Sequence, residues 1–326
     1  MNRFLILLIS ILVLSLNLNA QNPSIDSLLN LTAVQSGEEL GKIYYELSVE
    51  LQSINSDSAL YYANQSELIF QKGDSKSLLP YLYKSKGKIY EIKMVTDRSL
   101  FYYNKAYEEF IKLENQHEIG ECALNMANIY FEMANFSEAY FFYMQSLRAY
   151  ERDGDQMGIA MMQNNLGKVA HEMDNLSDAE KHYQNAYEIY KEHGLSTDEC
   201  NVFVNIGLIF YDKQAFDTAL IYFQEVLDIL DPDSLSSEAQ QYILSNTYEN
   251  TALTYSAIGA HNMALDYLRK GLDLAMEIGD QYIIGSVYTS LGSLYGEMRN
   301  KESALYYLHR ALKIAKDRGY RLSLIH

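Results

Sequence analysis

Three histidines are the first residues to weigh for chemistry. His171, His182 and His193 recur every eleven residues, about three turns of an α-helix. A metal site wants imidazoles and carboxylates one helical turn apart on one face, as in His-Glu-x-x-His. No such spacing occurs, and a turn between two helices falls between His171 and His182, so the three do not share a face. They read as polar surface or partly buried side chains with satisfied hydrogen bonds. Adjacent carboxylates such as Glu38-Glu39 and Glu108-Glu109 read as solvated helix faces. There is no Gly-rich phosphate loop, no nucleophile elbow and no acid pair at a working spacing. No catalytic residue, metal ligand or cofactor is assigned, and the chain reads as a non-enzyme.

Composition agrees with a binding role outside the cytoplasm. Residues 1–20 resemble a secretory leader: Arg3 supplies the positive start, Phe4 to Leu16 is nearly unbroken apolar sequence, and Leu18-Asn19-Ala20 precedes a cut before Gln21. The apolar run is shorter than the roughly 20 residues a spanning helix needs. No Cys follows it, which excludes a lipid anchor on a new N-terminal Cys. The mature chain is expected to be exported, periplasmic or extracellular in a bacterium, without membrane insertion. Lys and Arg number 26 against 43 Asp and Glu, a net charge of −17. Loss of Arg3 with the leader makes it −18. Such a surface repels phosphate backbones, so no nucleic-acid partner is expected.

Only three prolines, no tryptophan and 29 tyrosines occur in 326 residues. Few prolines favour long helical arrays, and one abundant aromatic suggests a position copied many times. The copies are visible. Gly87, Tyr90, Ser99, Tyr103 and Ala106 set a layout that Ala127, Tyr130, Ala139, Tyr143 and Ser146 repeat. Gly167, Ala170, Ala179, Tyr183 and Ala186 follow it, then Gly207, Phe210, Ala219, Phe223 and Val226. Ala252, Tyr255, Ala264, Leu268 and Gly271 come next, and Gly292, Tyr295, Ala304, Leu308 and Ala311 last. A degenerate copy at Leu47, Ala59, Ala63 and Ser66 precedes them all. The period is 40 residues, with one five-residue insertion around Asp231-Pro232-Asp233-Ser234. Apolar residues at helical spacing on two segments, split by a polar turn, make each copy a helical hairpin. Small residues let its helices approach, and stacking buries the faces one hairpin leaves open. Cys122 and Cys200 stand two copies apart, about four helix layers at 8–10 Å each. A disulfide needs Cα atoms within about 7 Å, so the two are expected to be free and buried.

The recurring Gly-x-x-Tyr and Ala-x-x-x-Tyr-x-x-Ala pattern resembles the tetratricopeptide repeat in a long, 40-residue form, of exported bacterial type, from about Leu40 to Arg318. The family's usual Trp and closing Pro are missing, and Gly73, Gly154, Gly194, Gly279 and Gly319 are expected to close helices instead. The resemblance implies an all-α, right-handed α-solenoid of about seven antiparallel hairpins. They would start near 40, 80, 120, 160, 200, 245 and 285, after a lead-in helix over 21–39. Residues 317–326 match 277–286 one period earlier. Residues 319–326 therefore read either as a short closing helix or as the start of a further hairpin.

In such solenoids the first helix of each hairpin lines a groove that holds partners. Carried onto this chain, the groove would present Lys84, Lys88, Asn125, Asn128, Asn164, Lys168, His171, Asn201, Tyr211, Asn246 and Glu249. Asn125, Asn165, Asn205 and Asn250 fill one column. Their amides either grip an extended peptide or bond neighbouring helices, and the sequence leaves both open. Lys84, Lys88 and Asn125 match part of the carboxylate clamp of chaperone-binding members, but Met161 and Asn165 stand where Lys and Arg are required, so no clamp is expected. The reading is a non-catalytic exported scaffold for a protein or peptide. The alternative is the periplasmic sensor region of a membrane signalling protein, a histidine kinase or DNA-binding regulator, without its output domain.

Overall fold

The computed structural model describes residues 23–194 and 196–318. The leader expected at 1–20, Gly319 and the repeat start expected at 319–326 lie outside the described residues. A lead-in helix α1 (Pro23–Leu31) precedes the repeats. Seven helix pairs follow in order, and no strand occurs among the described residues. The first pairs are α2 (Gly37–Leu51) with α3 (Ser56–Phe70), and α4 (Leu79–Ile92) with α5 (Thr96–Lys112). Then come α6 (Gln116–Glu132) with α7 (Phe136–Asp153), and α8 (Gln156–Glu172) with α9 (Leu176–Glu192). The last are α10 (Ser196–Asp212) with α11 (Phe216–Ile229), α12 (Glu238–Ala257) with α13 (His261–Ile278), and α14 (Gln281–Glu297) with α15 (Lys301–Arg318). Even-numbered helices from α2 onward are thus first helices. The chain divides at Asp153/Gly154 into two compact units, each an all-α stack of hairpins. No described helix is long and apolar enough to cross a membrane.

Local chemistry sets the hairpin ends. Asn115, Asp155 and Asp280 cap α6, α8 and α14, accepting from the backbone N–H of Glu118 (3.2 Å), Gly158 (3.0 Å) and Tyr282 (2.7 Å). The turn inside a hairpin is one motif used six times. Met94, Ala134, Asp174, Gln214 and Arg299 sit at φ between 55° and 59°, and Gly259 at φ 77°. After each, an N–H reaches the carbonyl five residues back, as in Val95 to Tyr90 (2.9 Å) and Ala260 to Tyr255 (2.8 Å). This left-handed closure favours glycine, so five side chains hold it against a local cost.

Between hairpins, Gly154, Gly194 and Gly279 do take left-handed backbone. Gly73 does not. The chain there enters a short 3-10 turn (Ser75–Leu78), and Glu38 of α2 fastens it by accepting from the N–H and hydroxyl of Ser75.

The small-residue columns hold the paired helices together. A Cβ on Gly87, Gly167 or Gly207 would stand 2.5–2.6 Å from the ring of Tyr103, Tyr183 or Phe223 sixteen residues on. The buried hydroxyls of Ser66, Ser99 and Ser146 donate to the carbonyls of Gly41, Gly87 and Gly120, each at 2.8 Å. A second ring column stacks within the hairpins: Tyr90 on Tyr102, Tyr130 on Phe142, Phe210 on Tyr222, Tyr255 on Tyr267 and Tyr295 on Tyr307. Their centroids are 5.5–5.6 Å apart with interplanar angles of 4–13°. The fourth copy breaks the stack. Ala170 faces the place of the second ring, and His182 occupies it, hydrogen-bonded to Gln163 at 2.7 Å. Each large side chain fully buried in these columns contributes about 1.5–3 kcal/mol. Cys122 and Cys200 are free and buried.

Candidate functional site: the first-helix faces

The first helices carry the polar residues that sequence reasoning singled out, and the structure sorts them by what already occupies them. In the first unit, Lys84 of α4 forms an ion pair with Glu118 of α6. Burial pulls the Lys84 ammonium down, but the Glu118 hydrogen bond and charge outweigh it and hold its pKa above the usual lysine value. Lys88 pairs with Glu91 on its own helix at 2.5 Å. Asn128 accepts from the Tyr143 hydroxyl of α7 at 2.6 Å. Asn125 is half-buried and makes no side-chain hydrogen bond among the described residues.

The second unit repeats one device. Asn205 of α10 donates to Asn164 of α8 at 3.0 Å, and His171 of α8 meets Asp212 of α10 at 2.6 Å. Two hairpins further on, Glu249 of α12 accepts from Ser290 and Ser286 of α14, and Ser256 donates to Glu297. Four of these partners stand 41 residues apart, one period plus one: 164 with 205, 171 with 212, 249 with 290, and 256 with 297. The pairs 164–205 and 249–290 occupy equivalent columns, and so do 171–212 and 256–297. Polar side chains at two levels of the face therefore stitch α8 to α10 and α12 to α14. Asn164, His171 and Glu249 were expected to face a partner freely. Asn164 is instead 7% exposed and engaged by Asn205, and the other two are engaged by Asp212 and by Ser286 and Ser290. At Asn205, the amide column bonds a neighbouring helix.

What remains open on this face is a smaller set. Lys168 of α8 is half-buried and has no carboxylate partner among the described residues, and burial alone draws its pKa below the usual lysine value. Asn201 and Asn246 are half-buried without a side-chain hydrogen bond among the described residues. Tyr211 packs edge-on against Phe216 at 5.5 Å, and its phenol is pushed up by burial and then by Asp212 and Glu297. The exposed Leu253 of α12 adds apolar surface. Sequence reasoning missed Asp212, Ser286, Ser290 and Glu297. A search for polar residues one period plus one apart would have found three of them.

His171, His182 and His193 each bond a different partner: Asp212, Gln163 and the Ile189 carbonyl. No group of three or more His, Cys, Asp or Glu able to hold a metal occurs among the described residues.

No curated protein matches the chain. Among solved structures, the apo form of RapI is similar over 86% of this chain and 99% of its own, at 15% identity and a TM-score of 0.69. A signal transduction ATPase with numerous domains and a tetratricopeptide repeat sensor, from Pyrococcus horikoshii, is similar over 86% of this chain and 43% of its own. Its identity is 14% and its TM-score 0.70. The Rap conjugation gene regulator of plasmid pLS20, solved in complex with a Phr peptide, is similar over 93% and 97% of the two chains, at 14% identity and a TM-score of 0.52. These likenesses establish the fold alone. Family models of the tetratricopeptide repeat match 158–231, spanning α8 to α11, and 121–153 and 285–318, spanning α6–α7 and α14–α15. Those three stretches of the chain are tetratricopeptide repeats.

Proposed function

We propose that the chain is a non-catalytic, exported scaffold that binds a protein or an extended peptide along its first-helix faces. The observation that carries this reading is the contrast within the second unit. Most polar groups of the face are bonded helix to helix, while Lys168, Asn201 and Asn246 have no intramolecular partner among the described residues. An amide donates and accepts at once, which suits the backbone of an extended peptide. Lys168 has given up part of its hydration with no carboxylate in exchange, so an acidic group on the partner would restore it. The complex of a structurally similar Rap regulator with a Phr peptide supports a peptide as the partner.

Replacing Lys168 and Asn201 together by Ala is expected to cut retention of the partner polypeptide from the cell's exported fraction by about tenfold or more. Quantitative pull-down measures it, and circular dichroism should be unchanged. Equal retention of the same polypeptides by the folded variant would remove the proposal. Asn164→Ala is a poor probe, because it would leave the Asn205 amide unpaired and act through stability.

A second reading, the sensor region of a membrane signalling protein, is favoured by the likeness to an ATPase carrying a tetratricopeptide repeat sensor. Intact mass in soluble and membrane fractions separates the two. A soluble species near the mature mass supports the scaffold, and a heavier membrane-bound one supports the sensor.

A further inference from the structure

The first unit contains a cavity of about 380 Å³ between the end of α5, the start of α6 and the second half of α7. Tyr107, Ile111 and Ile119 give it an apolar lining, and Arg148 and Arg152 stand one helical turn apart along α7. Its volume falls in the range of small-molecule sites, roughly 300–1,000 Å³.

The two arginines break the pattern of the repeat. At the position of Arg148 the other copies carry Leu68, Glu108, Glu188, Asp228, Asp273 and Lys313. At the position of Arg152 they carry Lys72, Lys112, Glu192, Pro232, Glu277 and Asp317. Only the third of the seven copies has a cation at both. Like charges at i and i+4 cost a helix a few tenths of a kcal/mol, and neither guanidinium has an ion-pair partner among the described residues. Of the neighbouring acids, Glu151 is exposed and makes no ion pair among the described residues, and four others are engaged elsewhere. Glu121 accepts from the Tyr150 hydroxyl at 2.7 Å, Asp153 faces His117 at 3.6 Å, Glu118 is taken by Lys84, and Glu108 by Asn104 at 2.8 Å. Two unpaired guanidiniums at one cavity are therefore a local positive site on a chain of net charge −17.

A third observation points into the same space. One end of the Gln116 amide is buried with no hydrogen-bond partner, and Gln116 lines this cavity. Buried polar groups are paired in nearly all native structures, so an orphan on a cavity wall marks a place where a ligand atom would bond. An amide can offer an oxygen or an N–H there. Burial and the Cys122 thiol push the Tyr107 phenol up, and Arg152 is close enough to oppose them. The cation and the aromatic wall thus belong to one site.

We propose that this cavity binds a small organic acid, a carboxylate on an apolar or aromatic body. Arg148 and Arg152 hold the carboxylate, because planar guanidinium forks match its two oxygens. The body lies against Tyr107, Ile111 and Ile119, and the Gln116 amide, turned so that its N–H faces the cavity, donates to a carboxylate oxygen. A bare inorganic anion would leave the apolar wall uncovered, which is why the carboxylate needs a body. The site is separate from the first-helix faces and does not depend on that reading.

Fluorine NMR of the full chain with 4-fluorophenylacetate as probe tests this. Saturable binding is expected, absent for the neutral 4-fluorophenylacetamide and only weakly displaced by inorganic phosphate. Arg148→Glu and Arg152→Glu install the residues of the next copy at solvent-exposed positions, so folding should survive, as circular dichroism would verify. Each should weaken binding about tenfold or more, and Arg148→Lys, which keeps the charge but loses the fork, should weaken it less. Three results would overturn the proposal: no saturable binding, equal binding by the folded glutamate variants, or displacement by phosphate as effective as by unlabelled phenylacetate.

Discussion

Glu67→Ala is expected to lower the unfolding free energy by about 3–5 kcal/mol, the loss typical when one partner of a buried ion pair is removed. Lys86 of α4 is only 1% exposed, and its ammonium is paired to Glu67 of α3, itself 17% exposed. The ring of Tyr102 lies 5.0 Å from the same ammonium, and Lys105 of α5 stands 3.9 Å from Glu67 and 3.9 Å from the centroid of Tyr83. One carboxylate therefore compensates one buried cation and one half-exposed cation across three helices. Without it, Lys86 keeps only the face of a ring, and a buried ammonium without a counter-charge is far costlier than a lost surface bridge. Lys86→Met should cost less, because Glu67 retains Lys105 and reaches water. The double change Glu67→Leu with Lys86→Met should be close to neutral, since apolar residues of similar volume commonly replace a buried pair without loss. Urea unfolding of the four proteins measures this, provided the slope is constant. A loss of no more than about 1 kcal/mol for Glu67→Ala would show the pair to be solvated and the account of this cluster wrong.

Two glycines of the second unit should respond to the same substitution with opposite signs. In Gly167→Ala the new Cβ would stand 2.5 Å from one ring carbon of Tyr183 and 2.6 Å from another. That ring is 1% exposed, so it moves only by displacing its neighbours. Overpacking of this kind costs about 1–3 kcal/mol, against a gain of up to ~1 kcal/mol from the better helix propensity of Ala. A net loss of about 1–2 kcal/mol follows. At Gly285 the nearest atom is a methyl of Ile314 at 3.5 Å, an ordinary contact. Gly285→Ala keeps the propensity gain and should stabilise by about 0.5–1 kcal/mol. Thermal unfolding of both variants provides the check. A gain at Gly167 equal to that at Gly285 would mean that helix propensity, and not the fit of ring to glycine, governs the conserved spacing of sixteen residues within the copies.

Much of this architecture was legible because a period of 40 residues turns every position into a column. Gly87, Gly167 and Gly207 announced a close approach sixteen residues before Tyr103, Tyr183 and Phe223, and the rings do lie against them. The second ring column, Tyr102 with Phe142, Tyr222, Tyr267 and Tyr307, was equally periodic, but one residue's offset in a helix turns a side chain by about 100°, and the first column hid it. Departures from a column were the harder signal. Lys86 occupies a place filled by Met126, Leu166, Ile206 and Leu291 in four copies, by Thr251 in another and by Glu46 in the degenerate first, and its partner Glu67 in the preceding hairpin explains it. Candidate site residues were the least legible. First-helix position says which face a side chain occupies, not whether a neighbour one period plus one away has already claimed it, as Asp212 claims His171 and Ser290 claims Glu249.

The central claim is that partners lie on the first-helix face, and a photoreactive residue placed on either side of α10–α11 tests it most directly. The two sites are Asn201 on the first helix and Ile221, 60% exposed, on the second. Irradiated in its own cells, the protein labelled at 201 should cross-link to a discrete polypeptide, and the protein labelled at 221 should not. Cross-linking from 221 alone, or to the same polypeptide equally from both positions, would contradict the account.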